Sequence, residues 1–227
     1  MNNNFDDALT KVSLHILKFV KNNKIIALGS GHASATFAET LSVFVRKNRI
    51  KIKAVPTSSQ IKMVVEKNNY IQLIESDNLD EVDIMFDGAD QIDKEKNLVK
   101  GGGGALLMEN ILMNMSKNII IIADESKFVN KINIDIPIEI HKSARSYIMK
   151  KLIGINGKPT LRTNNKRYPI ITENGNMIID CGFGIIEKPQ ILLNKIINIP
   201  GVLEVGIFKR KPDMIYKANL DGSFNIL

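Results

Sequence analysis

The chain has 227 residues, 44% hydrophobic and 24% charged, enough for one generous core or two modest ones. Its 31 basic and 24 acidic residues leave a formal charge of +7, which fits nucleic acid, an acidic membrane surface or an anionic small substrate. Aromatics are only 6%, Trp is absent, and neither Lys150-Lys151 nor Lys209-Arg210-Lys211 is interleaved with aromatics, so the stacking platforms of a nucleic-acid binder are missing.

No apolar run approaches the roughly 20 residues of a membrane span. Met1 to Asp7 has neither a basic n-region nor an apolar h-region, so no secretory signal is expected. Cys181 is the single cysteine. It excludes an internal disulfide and fits a reducing, cytoplasmic setting.

Taken in chain order, Phe5, Ala8, Leu9, Val12, Ile16, Phe19 and Val20 recur at spacings of three and four and predict an amphipathic helix. Lys24 to Leu28 reads as a strand ending in Gly29-Ser30-Gly31, and Ser34 to Asn48 as a helix. Ile50 to Val55 reads as a strand, with a turn and helix cap at Pro56-Thr57-Ser58-Ser59. Tyr70 to Ile74, Val82 to Phe86 and Asn118 to Ala123 read as further strands, with a helix from about Ala105 to Ser116 before the last. Alternating strands and helices imply an α/β fold: a Rossmann-like, largely parallel sheet with helices on both faces.

After about Asn130 the pattern changes. Ile136 to His141, Ser143 to Ile153, Pro159 to Thr163, Asn176 to Asp180, Pro189 to Ile199 and Val202 to Phe208 read as β-α-β-β-α-β, the split βαβ, ferredoxin-like order of a smaller α+β domain. Met214 to Lys217 reads as a last strand of the first domain. The expected organisation is a Rossmann-like catalytic domain over 1–132 and 208–227, with the smaller domain over 133–207.

Two segments carry chemistry. Asp87-Gly88-Ala89-Asp90 directly follows the apolar strand Val82 to Phe86. Ligands of open α/β sheets sit outside the carboxyl ends of strands, where two carboxylates can address sugar hydroxyls. The same residues also suit a plain turn and cap. The second segment, Lys100-Gly101-Gly102-Gly103-Gly104, runs into the helix that holds Glu109. Bare glycine backbone lets N–H groups approach an oxyanion, the following helix start adds partial positive charge, and Lys100 adds a cation. It is neither a Walker loop nor a dinucleotide fingerprint.

Glu109 lies among Leu106, Leu107, Met108, Ile111, Leu112, Met113 and Met115. A helix so apolar is expected to be buried, and a carboxylate there needs a partner or a function. An ion pair with Lys100 would supply the first. A base beside a lysine and a glycine cradle would supply the second, suiting proton abstraction next to a carbonyl with stabilisation of the enediolate oxygen. His15, His32 and His141 are scattered without ligand spacing, so no metal and no other cofactor is expected.

Asp87-Gly88-Ala89-Asp90, then Lys100-Gly101-Gly102-Gly103, then Glu109, in that order, resemble the signature of the type A ribose-5-phosphate isomerase family. The resemblance covers nearly the whole chain. Gly29-Ser30-Gly31 looks like the family's phosphate-proximal loop, and Ile122 to Lys127 like its later strand-end motif. Ala144-Arg145-Ser146, Gly157-Lys158-Pro159, Asn174-Gly175-Asn176 and Ile199-Pro200-Gly201-Val202 follow in order.

The resemblance implies an aldose–ketose isomerase of the non-oxidative pentose phosphate pathway. It would interconvert ribose 5-phosphate and ribulose 5-phosphate through an enediolate. The only partners implied are a small phosphorylated pentose and further copies of the chain in a homodimer or homotetramer. It makes Glu109 the base that moves a proton between C1 and C2. Substrate contacts are implied at Ser30, Gly31, His32 and Ala33, at Asp87, Gly88, Ala89 and Asp90, at Lys100, Gly101, Gly102 and Gly103, and at Lys127. With it, Asp87 is read as assisting ring opening, Asp90 as holding hydroxyls, and Lys100 with the glycine N–H groups as stabilising the anionic oxygen. The alternative is a non-catalytic sugar-phosphate sensor on a related fold, which could dispense with Glu109 and Lys100. Three positions depart from the family: Gln91 replaces the usual Glu, His32-Ala33 replaces Ser-Thr, and the N-terminal lysine has no clean counterpart, Lys11 being merely near.

Overall fold

In the computed structural model, which describes residues 3–227, the short apolar runs become the central strands of a seven-stranded sheet. These are β1 (Ile25–Leu28), β2 (Ile52–Pro56), β3 (Ile71–Leu73), β4 (Val82–Asp87), β7 (Ser116–Asp124), β13 (Met214–Ala218) and β14 (Phe224–Ile226). The order is β14-β13-β7-β4-β1-β2-β3. Every pairing is parallel except β13 with β14. The chain divides into two compact units. The first takes the residues up to Ala89, with Met108–Lys127 and Pro212–Leu227; the second takes Asp90–Leu107 and Phe128–Lys211.

In the first unit, α1 (Asn3–Ile16), α2 (Gly31–Asn48) and α3 (Ser59–Val65) press Ala8, Val12, Ile16, Phe37, Leu41, Val45, Ile61 and Val65 against Ile26, Leu28, Phe86, Ile120 and Tyr216. Met85, Ile119 and Ile121 alternate with these strand residues and are just as buried. Both faces of the sheet centre are therefore covered, which is why its strands read as continuous apolar runs. The first predicted helix ends early. A 3-10 turn, Leu17–Phe19, follows α1. α2 begins at Gly31, three residues before the expected Ser34, so His32 and Ala33 lie in its first turn. As expected, Ser58 caps α3, its side chain accepting the Ile61 N–H.

In the second unit, β8 (Ile136–Ile140), α5 (Arg145–Ile153), β9 (Lys158–Leu161), β10 (Met177–Gly182), α6 (Pro189–Ile197) and β11 (Val202–Val205) form an antiparallel sheet of order β11-β8-β10-β9. This is the split βαβ arrangement. Ile136, Ile138 and Ile140 share a core with Ile148, Leu152, Leu193 and Ile196. A second sheet joins β5 (Gln91–Ile92), β6 (Leu98–Val99) and β12 (Ile207–Phe208). The run Val202 to Phe208, read as one strand, is thus two strands in different sheets. Gly206 separates them: its N–H donates to the Pro137 carbonyl and its carbonyl accepts from the Lys100 N–H. Any Cβ there would strike the Lys100 carbonyl and Pro137.

Cys181 is buried in the second core, where burial and the nearby Asp135 push its thiol up to about 12. It is a packed, inert side chain. Among the described residues, no helix is long and apolar enough to cross a membrane.

Candidate active site

The strand order places the first set of residues. From β1 the chain steps outward to β2 and β3, then returns to β4 on the other side of β1 and continues to β7 and β13. The order therefore reverses between β1 and β4, the usual location of a ligand crevice in such a sheet. Gly29-Ser30 leaves β1 there and Asp87 ends β4, joined by a hydrogen bond from the Gly29 N–H to the Phe86 carbonyl at 2.8 Å. Gly29 must be glycine, because a Cβ would fall within the Asp87 carboxylate.

Asp87 is fully buried. One of its oxygens accepts the Gly88 N–H at 2.7 Å and the Ser34 hydroxyl at 3.4 Å. Glu109, on α4 (Leu106–Met115), is 2% exposed, as its apolar neighbours predict. Its Oε1 accepts the Ser30 hydroxyl at 2.6 Å. Ser30 is the N-cap residue of α2, yet its side chain makes no cap hydrogen bond.

The rest of the loop is placed as follows. The Gly31 N–H donates to Gln60 Oε1 at 3.3 Å. The exposed His32 ring reaches Asp6 at 2.7 Å, so its imidazole is engaged outside the loop. Ala33 packs against the core. Lys127 is half-buried, at the end of a 3-10 turn that follows β7. Lys11 donates to the Gly222 carbonyl at 2.8 Å.

The second unit holds the other set. Lys100 is 3% exposed, and its ammonium lies 5.7 Å from the Phe208 ring centre, within cation–π range. Gly101 and Gly104 have positive φ, 105° and 85°, which glycine adopts without steric cost. The Gly104 N–H closes a turn onto the Gly101 carbonyl at 3.0 Å. The Gly102 N–H donates to Asp90 Oδ2 at 2.7 Å, and a Cβ on Gly102 would collide with that carboxylate.

Gln91 is buried and exchanges hydrogen bonds with Asn133: its amide nitrogen donates at 2.7 Å and its oxygen accepts the Asn133 N–H at 2.9 Å. Where the family usually carries Glu, this chain has a neutral strut. Sequence reasoning missed Arg162 and Asp180. Arg162 Nη1 donates to the Gly101 and Gly102 carbonyls, and its guanidinium pairs with Asp180. Among the described residues, no group of three or more His, Cys, Asp or Glu side chains could hold a metal ion.

The first unit offers two buried carboxylates, Glu109 and Asp87, and the second, taken by itself, a lysine-led glycine loop with oriented N–H groups. These parts suit proton transfer beside a carbonyl. A family model for ribose 5-phosphate isomerase A (phosphoriboisomerase A) matches residues 53–222. The ribose-5-phosphate isomerase A of Methanococcus vannielii is 39% identical over 211 residues, covering 90% of this chain and 87% of its own. That of Archaeoglobus fulgidus is 34% identical over 200 residues, 86% of this chain and 87% of its own. The solved ribose 5-phosphate isomerase A of Methanocaldococcus jannaschii superposes with a TM-score of 0.91 at 34% identity, covering 97% of this chain and 98% of its own. A D-ribose-5-phosphate isomerase in complex with phospho-erythronic acid also gives 0.91 at 34% identity, over 100% of this chain and 99% of its own.

Proposed function

Because the chain belongs to the ribose 5-phosphate isomerase A family, we propose that it interconverts ribose 5-phosphate and ribulose 5-phosphate with Glu109 as the proton-transfer base. In the open-chain aldose, Glu109 takes the proton from C2. The C2–H electron pair forms the C1–C2 double bond, and the carbonyl electrons move onto O1. The proton then returns from Glu109 to C1 while the hydroxyl proton on O2 passes to O1, giving the ketose. No electrons leave the substrate.

Asp87 assists opening of the furanose ring, and Asp90 holds hydroxyls. Lys100 and the N–H groups of Gly101 and Gly103 stabilise the negative oxygen of the enediolate, while the Gly102 N–H holds Asp90 in place. The backbone from Ser30 to Ala33 and the first turn of α2 receive the phosphate, with the His32 side chain committed to Asp6. Gly88 and Ala89 shape the contact after Asp87, and Lys127 adds a cation. The isomerase in the phospho-erythronic acid complex supports this reading, since a sugar-acid carboxylate resembles the planar anion of an enediolate. The same family membership carries the proposals of a homodimer or homotetramer, testable by light scattering against the 25.4 kDa chain, and of a cytoplasmic location, testable by fractionation of the source cells.

The single observation behind the catalytic assignment is Glu109, 2% exposed, with its carboxylate held by Ser30 at 2.6 Å at the carboxyl end of β1. The test is turnover of ribose 5-phosphate by the purified protein and by Glu109→Gln. The amide keeps the shape and removes the base. The expected result is a kcat at least about 10²-fold lower, the range for loss of a positioned base, with substrate affinity retained. Near-native turnover in the variant would place proton transfer elsewhere, and no turnover in the parent protein would overturn the activity.

A further inference from the structure

Four glycines in a row have no side chains to fix their peptide planes. Something outside the loop must set which way Gly101 to Gly103 present their N–H groups. The Gly101–Gly102 peptide is held by Asp90, by the Gly104 turn and by one guanidinium; among the described residues the Gly102–Gly103 peptide is held by that guanidinium. Arg162 Nη1 donates to the Gly101 carbonyl at 2.8 Å and to the Gly102 carbonyl at 3.0 Å. The opposite edge of the same group is held by Asp180: Nε donates to Oδ2 at 2.7 Å and Nη2 donates to Oδ1.

Arg162 directly follows β9, and Asp180 lies on the paired strand β10, where Leu161 faces Ile179. The pair is therefore anchored in the antiparallel sheet. The Arg162 side chain is 14% exposed and that of Asp180 26%, so the contact is largely sheltered from solvent.

A trans peptide is planar, with its C=O and N–H pointing in opposite directions. Holding two successive carbonyls toward Arg162 turns the next two N–H groups away from it. The Gly102 N–H meets Asp90 Oδ2 at 2.7 Å. The N–H of the exposed Gly103 makes no hydrogen bond among the described residues. The planar guanidinium suits this task because one rigid fork can serve a carboxylate and two carbonyls together. A lysine ammonium at this position could not span all of these partners in a fixed geometry.

We propose that Arg162, braced by Asp180, is a positioning residue that aims the Gly103 N–H of the glycine loop at the reacting oxygen. It does not touch substrate; it acts through the backbone of Gly101 and Gly102. The inference rests on the reading of this loop as the cradle of the enediolate oxygen. Pre-aimed donors matter most where charge develops in the transition state, so loss of the brace should lower kcat more than it raises KM.

The experiment compares the full-length protein with Arg162→Ala, Arg162→Lys, Asp180→Asn and Gly103→Pro. The readouts are kcat, KM, the melting temperature and inhibition by phospho-erythronic acid. The expected result is a kcat about 10–100-fold lower in both Arg162 variants, somewhat less than the roughly 10²–10³-fold cost of deleting an oxyanion donor outright. KM should change little, and the inhibition constant should rise by about the same factor as kcat/KM falls. Asp180→Asn should show a smaller loss of the same kind. Added guanidinium ion should restore part of the Arg162→Ala loss, whereas methylammonium should not.

A purely structural role predicts a lower melting temperature, an unchanged inhibition constant relative to KM and no guanidinium rescue, and that pattern would overturn the proposal. If Arg162→Ala does not fold, Arg162→Lys carries the same comparison. If Gly103→Pro lowers kcat while the Arg162 variants do not, the cradle stands and the positioning role fails. If kcat is native in all four, the cradle reading itself fails, and the proposal with it.

Discussion

Ser30 shows how a residue can hold a helix-capping position and do something else. It occupies the N-cap of α2 with extended backbone, φ −109° and ψ 174°, but its hydroxyl bonds the Glu109 carboxylate at 2.6 Å. That bond orients the proposed base and leaves its charge in a buried setting with a donor attached. Ser30→Ala removes the donor and should lower kcat by about tenfold, the part of a charged hydrogen bond of about 1.5–3 kcal/mol that is felt in the transition state. The hydroxyl does not cap the helix, but its loss leaves a buried carboxylate with one donor fewer, so the melting temperature should also fall by a few degrees, about 2–4 °C per kcal/mol lost. Steady-state kinetics and a thermal melt check both parts. A native kcat with a melting point several degrees lower would make the Ser30–Glu109 bond purely structural. Gln91 and Arg162 show the limits of reading residues one at a time. A glutamine next to Asp90 reads as a lost charge, but its amide is matched to Asn133. Arg162 falls within the run Pro159 to Thr163, which reads only as a strand. Its partners lie 18 to 61 residues away, and no local pattern reports them.

At the scale of elements, the strands of the parallel sheet were legible because burial on both faces leaves continuous runs such as Ile119 to Ala123. The helix around Glu109 was legible as buried from the apolar residues on all sides of it. What escaped were the two-residue strands β5 and β6, too short to show a period, and their link to β12, whose Ile207 faces Val99 across more than a hundred residues of chain. The start of α2 escapes for a different reason: Gly31 is a poor helix former, yet the helix begins there, directly after Ser30. The start of β1 is fixed by Asp83 on β4, which accepts the Lys24 ammonium at 2.7 Å and the Ile25 N–H at 2.9 Å. Burial works to raise the Asp83 carboxyl, but the Lys24 and Ile25 hydrogen bonds, with the charges of Lys24 and Lys117, hold it below its ordinary value. A lowered folded-state pKa stabilises the fold above the unfolded value and ceases to do so as pH falls through the folded one. Asp83→Asn should therefore lower the melting temperature at pH 7 by about 2–4 °C, corresponding to about 1 kcal/mol in a chain of this size. The difference between parent and variant should shrink as pH falls below about 4. Thermal melts from pH 7 to pH 3 test this, and a gap that persists undiminished at pH 3 would assign the effect to packing.

At the scale of the whole molecule, the basic balance that first suggested several partners now has one to account for. The chain carries +7, and the proposed substrate carries a phosphate. A net positive field raises the local concentration of an anion and speeds its encounter, and salt screens that field, with a Debye length near 10 Å at 0.1 M and 3 Å at 1 M. The groups proposed for the chemical step are ones that salt reaches poorly, since Glu109 and Lys100 are each no more than 3% exposed. Raising NaCl from about 20 mM to about 500 mM should therefore lower kcat/KM several-fold through KM and leave kcat nearly unchanged. Sucrose at matched viscosity should not reproduce the change, which separates screening from slower diffusion. A fall in kcat with salt would move the effect from encounter to the reacting groups or to the fold. A flat kcat/KM would mean that the lysines giving the chain its charge act as a solvated surface with no part in gathering substrate.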